Sequence, residues 1–562
     1  MRKPEKKKDT SMTPSRTESA HKWKTLLHLI LFSVAAIAAA SYVYLQSPHI
    51  IARDALYHLR HAAVYASEGL FMTEFPWVVY SVVSTFAADI WYGFHVLLIP
   101  FTSFNGPVAQ VKTAGIFILA TMLVLFYLAM RRNRMALPFL WPFVLLFISG
   151  SFVGRLTTTR PVAISMGLTA LLFSFMISGG ILAVFFLSLA LTFFHLSFFW
   201  LGILIAIAVS AVKVRTERKW EWRKPLAVLL GLAAGWLLRP NPIGAAKVLY
   251  VQVFRLMFEK QKGLLAFGRE LYPMRPEVLL HDYGLLILIW LGITAISLFA
   301  IIRHGVERPA RNRTLLWSSL GLSLLFFAMT PLLSQRSVDQ WALFAIIFVA
   351  AGFTYFIVPR QVETKAFSGK KFVPRQTLGG EMRAACISAG ALILAFMMWR
   401  ATDTQMLKKG YGIPPDRLKG GLEWLKDNSE PGEIVFHVSW GNFPELFYWN
   451  QHNRYIGGMD PIFQYAYDKS LYWKVHHLWV GKAPGYTWGS PKPEGAKLED
   501  AYTVMTRDFK ASYLLLEELR SPTLFSYVTS DPRFVPRFDD GWTAIFRLSD
   551  DGQTEQIGVA DG

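Results

Sequence analysis

Apolar runs of transmembrane length recur along the first two thirds of this 562-residue chain, and they constrain its fold more than any other feature. A run of about 20 apolar residues is long enough to cross a bilayer as an α-helix. The sequence predicts roughly eleven such spans, at about 25–46, 109–130, 135–151, 161–178, 181–197, 198–212, 225–238, 283–302, 314–332, 340–358 and 384–400. The predicted fold class is therefore a polytopic α-helical membrane protein.

The charge of the chain is explained better by membrane topology than by a nucleic-acid partner. The net charge is +19, which in a soluble protein would suggest binding to nucleic acid. Here most of the positive charges fall in short loops between apolar spans, where they set the orientation of the chain. The single cysteine, Cys386, excludes an internal disulfide framework, a cysteine zinc cluster and a cysteine redox pair.

The basic residues also predict which loops face outward. Residues 1–24 are expected to be a cytoplasmic tail, and the first span is too long for the core of a signal peptide. The Arg131–Arg134 cluster is expected inside, which makes 47–108 one external loop with helices lying in the membrane interface. In the alternative topology, about 88–104 is a span and the arginine cluster is external. The transmembrane domain is predicted over 25–402, with further external loops at 152–160, 239–282 and 333–339.

The last part of the chain has a different character and predicts a separate extracytoplasmic domain. Leu418 to Asn428 is typical of a helix, Pro431-Gly432 of a turn, and Glu433 to Val438 of a strand. Helical and strand-like runs then alternate to Arg547. The sequence therefore predicts an α/β domain over 403–562, which the last span places outside the cytoplasmic membrane.

An acid and several polar residues directly follow the first span. Asp54 is placed to hold a divalent cation or to activate an acceptor hydroxyl, although a lone interfacial acid that only ends a helix is the simpler interpretation. His58 lies four residues later, on the same face if this segment is helical. His58 and Tyr57 are candidates for acceptor binding, and the alternative for the histidine is an ordinary interfacial polar group.

Arginines in the later external loops are candidates for binding phosphate. Arg155 and Arg160 lie in one short loop at the membrane edge, where guanidinium groups suit a phosphate or pyrophosphate but also snorkel without binding anything. Arg336 is placed to meet an anionic lipid headgroup, or to pair with Asp339 for structural reasons alone. The long 239–282 loop is interpreted as a mobile cover for a charged substrate, or as a solvated amphipathic helix.

Two loops of the C-terminal region carry the remaining candidates. Trp440 and Asn442 follow one predicted strand, and Tyr455 and Asp460 belong to the next strand and its loop. Strand ends of this kind form ligand crevices in open α/β sheets, so these residues are candidates for binding the acceptor near Asp54. In the alternative, the aromatic residues belong to the core and Asp460 caps the helix that follows.

Taken in chain order, these elements resemble the membrane glycosyltransferases of the GT-C fold, most closely the catalytic subunits of oligosaccharyltransferases. Asp54 stands where that family has an aspartate after its first helix, and Arg336 lies between two late spans as an arginine of that family does. The segment Ser439-Trp440-Gly441-Asn442 looks like the family's Trp-Trp-Asp motif without its acid. The 152–160 loop likewise lacks the metal-binding acid that is usual in the family.

The resemblance implies an inverting glycosyltransferase. The donor would be a sugar or glycan on a polyprenyl phosphate or pyrophosphate, and the acceptor a glycan, lipid or protein at the outer face of the cytoplasmic membrane. Asp54 would act on the acceptor, directly or through a Mg or Mn cation, while Arg155, Arg160 and Arg336 would stabilise the leaving phosphate. Membrane lipids are expected partners and nucleic acid is not.

Two other functions stay open on the sequence. A transporter or flippase for a polyprenyl-linked glycan would carry polar residues in the middle of several spans and would break some helices. A non-catalytic assembly subunit would keep the fold without the chemistry, and the missing acid in the 152–160 loop supports this alternative. Replacement of Asp54 separates the assembly subunit from an enzyme.

Overall fold

The structure, a computed structural model, describes residues 16–263, 265–304, 310–358, 412–517 and 521–548, with scattered positions between 388 and 399. The first 15 residues of the predicted cytoplasmic tail, Cys386 and most of the predicted span at 384–400 lie outside the described residues. The described chain forms a helical part up to residue 358 and a sheet-containing part from residue 412.

The helical part consists of long apolar helices joined by shorter ones. The α-helices in chain order are α1 (Arg16–Tyr44), α2 (Asp54–Glu68), α3 (Val82–Phe86), α4 (Tyr92–Leu98), α5 (Pro107–Arg132), α6 (Trp141–Leu146), α7 (Gly150–Leu156), α8 (Val162–Ser178), α9 (Ile181–Phe194), α10 (Phe199–Glu217), α11 (Arg223–Leu237), α12 (Pro242–Leu249), α13 (Leu256–Gln261), α14 (Pro276–His304), α15 (Ala310–Leu332) and α16 (Ser337–Gly352). Short 3-10 segments lie at Ile99–Ser103, Leu196–Phe198 and Arg269–Leu271, and π-helical segments at Tyr250–Arg255 and Phe353–Ile357.

Within the described residues, six helices are long and apolar enough to cross a membrane. Four of them lie within α1, α5, α14 and α15. The other two are α10 with the 3-10 segment before it, and α16 with the π-helical segment after it, which ends at Ile357. A seventh span is formed if α11 and the segment Pro242–Gln261, which meet at an angle of 108°, are counted together. The helices α8 and α9 are apolar but shorter. The protein is therefore a multi-pass membrane protein, with a span count that need not reach the predicted eleven.

The predicted continuous span at about 135–151 is wrong. This stretch contains the six residues of α6 and the start of α7, because Ser149 adopts an extended conformation and ends any continuous helix. The Ser149 hydroxyl instead accepts the backbone N–H of Phe152 and so begins α7. The alternative span at about 88–104 is also not formed, because α4 and the following 3-10 segment together cover only Tyr92–Ser103, too short to cross a bilayer.

Helix α16 lies at the centre of the helical part. Each of its residues from Ser337 to Gly352 is buried, and α8, α14 and α15 pack around it. Neighbouring helices therefore cover α16 on all sides. Asp339 lies in the first turn of this buried helix and is only 4% exposed, so its carboxylate requires a partner.

The sheet-containing part has a mixed five-stranded sheet. Its strands are β1 (Ile434–His437), β2 (Arg454–Tyr455), β5 (Ala511–Leu516), β6 (Phe534–Asp539) and β7 (Ala544–Leu548), in the order β2-β1-β5-β7-β6, and β3 (Tyr486–Thr487) pairs with β4 (Glu499–Asp500). Strand β1 is parallel to β2 and β5, whereas β7 is antiparallel to β5 and β6. The accompanying helices are α17 (Lys419–Asn428), α18 (Phe443–Trp449), α19 (Pro461–Tyr467), α20 (Lys469–Val480), α21 (Ala501–Thr503) and α22 (Pro522–Ser530).

The predicted α/β character of this part is confirmed, as are its first two elements. The helix predicted at Leu418–Asn428 is α17, and the strand predicted at Glu433–Val438 is β1. The sheet is joined to the 47–108 loop through backbone hydrogen bonds. The N–H of Tyr455 donates to the carbonyl of Trp77, and the N–H of Val79 donates to the carbonyl of Tyr455, both at 2.9 Å.

Candidate functional site

Two carboxylates and two arginines from four separate segments meet in what we call the arginine–carboxylate cluster (Asp54, Arg160, Glu270 and Arg336). The Asp54 carboxylate pairs with the Arg160 guanidinium. Arg160 Nη1 also lies 4.0 Å from Glu270 Oε1, to which Arg336 Nη2 donates at 2.9 Å. The four side chains are 29–51% exposed, with Arg336 the most open. The cluster is therefore accessible to a ligand.

Local structure places Asp54, Arg160 and Arg336 at helix ends and Glu270 in the 3-10 segment Arg269–Leu271. Asp54 is the first residue of α2, where the helix dipole favours an acid. Arg160 lies in the turn between α7 and α8, where Thr159 has a left-handed backbone with a φ of 52°. The four elements that were predicted to be external converge in the structure, because the contacts of Arg160 and Glu270 connect three of them directly and Arg336 adds the fourth.

The segment that carries Glu270 is held beside Arg336 by main-chain hydrogen bonds. The N–H groups of Gln335 and Arg336 donate to the carbonyls of Tyr272 and Glu270 at 2.9 and 3.2 Å. Burial would raise the pKa of Glu270, but the charges of Arg336 and Arg160 outweigh it and lower the pKa overall. Glu270 is therefore ionised at neutral pH and balances the arginines. The sequence placed Glu270 in the long loop without identifying its partner, because the two residues are 66 positions apart.

Arg155 lies outside the arginine–carboxylate cluster. Its Nε and Nη2 donate to the two oxygens of Asp339 at 2.7 and 2.6 Å. The alternative pairing of Arg336 with Asp339 is therefore wrong, because Arg155 occupies both carboxylate oxygens and Arg336 turns to Glu270 instead. This two-pronged ion pair connects α7 to the buried start of α16.

The loop after β1 reaches the residue beside Asp54. Arg53 Nη1 donates to Asn442 Oδ1 at 3.0 Å, and the Asn442 amide in turn donates to Glu517. Arg53 also lies 3.5 Å from Glu445, the acidic residue in the first turn of α18. Asn442 is only 3% exposed, so these bonds fix the loop against the start of α2.

The loop after β2 brings Asp460 toward the same place. Asp460 accepts the N–H of Ile462 at 3.1 Å and so caps α19. Burial raises the pKa of Asp460 to about 6, and the charges of Asp54, Glu270 and Arg336 also act on it. This carboxylate therefore lies within electrostatic reach of the arginine–carboxylate cluster.

Known proteins resemble this chain in structure rather than in sequence. No family model matches the chain, and no curated protein matches it by sequence. The apo oligosaccharyltransferase of Archaeoglobus fulgidus superposes with a TM-score of 0.54 and 10% identity, over 93% of this chain and 74% of that one. ArnT of Cupriavidus metallidurans, bound to undecaprenyl phosphate, superposes with a TM-score of 0.50 and 11% identity, over 94% of this chain and 99% of that one.

Both neighbours are glycosyltransferases of the GT-C fold. This chain has the GT-C fold. The resemblance inferred from its motifs is thus confirmed at the level of the fold, while identities of 10–11% carry no information about substrates. In this GT-C fold the helix ends described above meet at one place, at which the arginine–carboxylate cluster lies.

The other predicted acceptor residues of this GT-C protein divide into open and buried ones. Trp440 and Asp460 are partly exposed. Tyr57 and His58 are each 4% exposed, and the Tyr57 ring packs against aromatic residues of α18. Tyr455 is fully buried, and its hydroxyl donates to two main-chain carbonyls. The buried members shape the junction between the first loop and the sheet.

Sequence reasoning missed a buried histidine network in the first loop. His95 bonds to His58 at 2.7 Å through Nε2 and to Asp89 at 2.6 Å through Nδ1. The Tyr65 hydroxyl donates to the same carboxylate at 3.1 Å. His61 lies beside this network, where burial lowers its pKa to about 3 and keeps it neutral. Asp89 and His95 are distant from the first helix in sequence, so no local signal indicated their role.

Two sets of residues are candidate metal ligands. His61, Asp89 and His95 each offer one ligand atom, and these atoms lie within 4.8 Å of one another. Such a nitrogen-rich set suits a transition metal rather than magnesium. Asp54 and Glu270 offer the carboxylate oxygens that Mg²⁺ and Mn²⁺ prefer, and each carboxylate pairs through one of its oxygens with a guanidinium group. A cation at Asp54 would therefore lie beside the positive charge of an arginine.

Proposed function

We propose that this protein is an inverting membrane glycosyltransferase. It takes a sugar or glycan from a polyprenyl-phosphate or polyprenyl-pyrophosphate donor and transfers it to an acceptor at the outer face of the cytoplasmic membrane. The observation that carries the proposal is the Asp54–Arg160 pair, open to solvent at the helix ends of a GT-C fold. The ArnT neighbour, whose structure contains undecaprenyl phosphate, supports a polyprenyl-linked donor.

Arg160 and Arg336 are the proposed ligands of the donor phosphate. Without donor, both guanidinium groups are neutralised by carboxylates of the cluster. A phosphate presents more charge and more acceptor oxygens than a carboxylate, and it can compete for the planar N–H groups of arginine. Arg155 is excluded from this role in the proposal, because Asp339 occupies its guanidinium.

Donor binding would release Asp54 to act as the base. Once Arg160 turns to the phosphate, the Asp54 carboxylate can accept the proton of an acceptor hydroxyl. The hydroxyl oxygen then attacks the anomeric carbon as the bond from that carbon to the phosphate oxygen breaks, which inverts the configuration. The charge that grows on the departing phosphate is stabilised by Arg160 and Arg336.

A divalent cation is a secondary element of this proposal. Asp54 and Glu270 are the residues that would hold Mg²⁺ or Mn²⁺, and the ion would supply positive charge to the leaving phosphate. The two arginines already supply such charge at the same place. The proposed reaction is therefore assigned to the side chains of the cluster alone.

The proposal is tested with the full chain reconstituted in liposomes. A polyprenyl-phosphate donor carrying a radiolabelled sugar is added, and the release of polyprenyl phosphate is followed together with the appearance of labelled acceptor in a membrane extract. A glycosyltransferase cleaves the donor. A flippase moves the labelled lipid between leaflets and leaves the bond intact, and a non-catalytic subunit does neither.

Arg336→Lys is expected to weaken donor binding more than the retained charge suggests. Lysine keeps the charge but loses the planar fork, and one charge-assisted hydrogen bond is worth about 1–3 kcal/mol. The donor KM should rise about 5- to 150-fold. Arg454→Lys, on an exposed residue of β2, is the matched control. An unchanged donor KM would limit Arg336 to its pair with Glu270.

We further propose the topology predicted from the sequence, with 1–24 in the cytoplasm, 25–402 in the membrane and 403–562 outside. Cysteine labelling of intact cells tests it in a Cys386→Ser background. Arg134→Cys should stay unlabelled, whereas Lys492→Cys should react with an impermeant reagent. Both residues are exposed, whereas the neighbouring Asn133 is 5% exposed and unsuitable. Labelling at position 134 would contradict this topology.

A further inference from the structure

A partly open cavity lies in the sheet-containing part. Its walls are formed by the loops that follow β1 and β2, by helix α20, and by one residue of the long 239–282 loop. Its polar and aromatic lining residues are His437, Trp440, Asp460, Gln464, Tyr472, His476 and Trp479. We call this space the aromatic cavity.

Trp440 forms part of the wall of the aromatic cavity. It begins the 3-10 turn Trp440–Asn442, which the bonds of Asn442 to Arg53 and Glu517 hold in place. The indole is partly exposed. Within the described part of the chain, no aromatic ring stacks on it and no group accepts its N–H. A large ring positioned in this way is available to a ligand.

Helix α20 supplies the opposite wall. Tyr472, His476 and Trp479 recur at helical spacing along one of its faces. The His476 ring stacks on Tyr472, with centroids 5.7 Å apart and an interplanar angle of 20°, and it contacts Trp479 at 5.9 Å. Burial lowers the pKa of His476 to about 4, so this wall is aromatic, neutral and able to form hydrogen bonds.

The aromatic cavity lies within electrostatic range of the arginine–carboxylate cluster. Asp460 lines the cavity, and the charges of Arg336, Glu270 and Asp54 act on it. Ala266, four residues before Glu270 in the chain, lines the cavity as well. A ligand that fills the cavity can therefore extend toward Asp54.

We propose that the aromatic cavity binds one sugar unit of a carbohydrate acceptor. The C–H faces of a pyranose pack on aromatic rings such as Trp440 and Trp479, while its hydroxyls bond to carboxylate, amide and imidazole groups of the kind that Asp460, Gln464 and His476 provide. No lysine or arginine lines the described cavity, so it lacks the charge that a donor phosphate requires. This assignment rests on the proposed function and names a glycan as its acceptor.

Binding of simple glycosides to the purified full chain tests the proposal directly. The probes are methyl β-D-glucopyranoside, methyl β-D-galactopyranoside and methyl α-D-mannopyranoside, followed by saturation-transfer NMR. At least one should bind to the wild-type protein, and Trp440→Ala should weaken that binding about tenfold. Trp440→Phe keeps an aromatic face and should retain most of it. Trp542→Ala removes a 56% exposed tryptophan outside the cavity lining and should change nothing.

The outcomes distinguish this proposal from the proposed function. Binding that depends on Trp440 and survives Asp54→Asn supports the sugar site, even if the protein cleaves no donor. Donor cleavage without binding of any of the three glycosides overturns the sugar site and leaves the proposed function intact. Trp440-dependent binding of a serine- and asparagine-containing peptide in place of the glycosides would also overturn it, in favour of a protein acceptor.

Discussion

Asp54→Asn is expected to abolish sugar transfer while the protein still folds and inserts into the membrane. The change removes the charge and basicity of the proposed base but little volume, and general-base catalysis contributes about 10²- to 10⁴-fold to a rate. The lost ion pair with Arg160 should matter little for stability, because the Asp54 side chain is 47% exposed. Initial rates of polyprenyl phosphate release, with the donor at saturation, measure the effect.

Asp468→Asn is the matched control for this variant. Asp468 is also an acid at the start of a helix, since its side chain accepts the N–H of Leu471 and caps α20. Asparagine caps a helix about as well as aspartate, so transfer should be unaffected. Wild-type transfer by Asp54→Asn would contradict the proposed mechanism and favour the non-catalytic assembly subunit.

Asp339→Ala is expected to lower the free energy of unfolding by about 3–5 kcal/mol. The Asp339 side chain is 6% exposed and accepts hydrogen bonds from Nε and Nη2 of Arg155. Its removal leaves the Arg155 guanidinium largely buried without a compensating charge. The midpoint of unfolding in a fixed mixed micelle, at increasing denaturing detergent, measures the loss.

A double variant separates the ion pair from packing. Arg155→Met combined with Asp339→Leu removes both charges and should be more stable than Asp339→Ala, because no unpaired charge remains. If Asp339→Ala unfolds like the wild type while the donor KM rises, the pair is not structural. Arg155 would then return to the donor-phosphate site that the sequence predicted for it.

The arginine–carboxylate cluster contains residues that the sequence predicts, whereas the histidine network was found only in the structure. The sequence predicts site roles for Asp54, Arg160 and Arg336 because each of these charged residues lies at the end of an apolar run, which is a local pattern. Side-chain hydrogen bonds of similar length join Glu270 to Arg336 and Asp89 to His95, but Glu270, Asp89 and His95 lie in long loops. No periodicity marks such residues, so their importance depends on partners that are distant in the chain.

The sequence by itself determined the membrane-spanning character, most of the long helices and the first elements of the α/β part. These follow from the length and spacing of apolar residues, because burial of apolar surface and local backbone hydrogen bonding act over a few turns or strands. The helix predicted at Leu418–Asn428 and the strand at Glu433–Val438 formed as expected for this reason.

Only the tertiary structure decided which charges meet. Arg155 and Arg336 are equivalent by sequence, yet one is neutralised by a buried aspartate and the other remains 51% exposed beside Glu270. The two aromatic candidates Trp440 and Tyr455 are also separated only by the structure. Trp440 lines a cavity, whereas Tyr455 is fully buried. Electrostatic pairing and burial depend on distances between segments that are tens to hundreds of residues apart in the chain. Helix packing sets those distances without leaving a local pattern in the sequence.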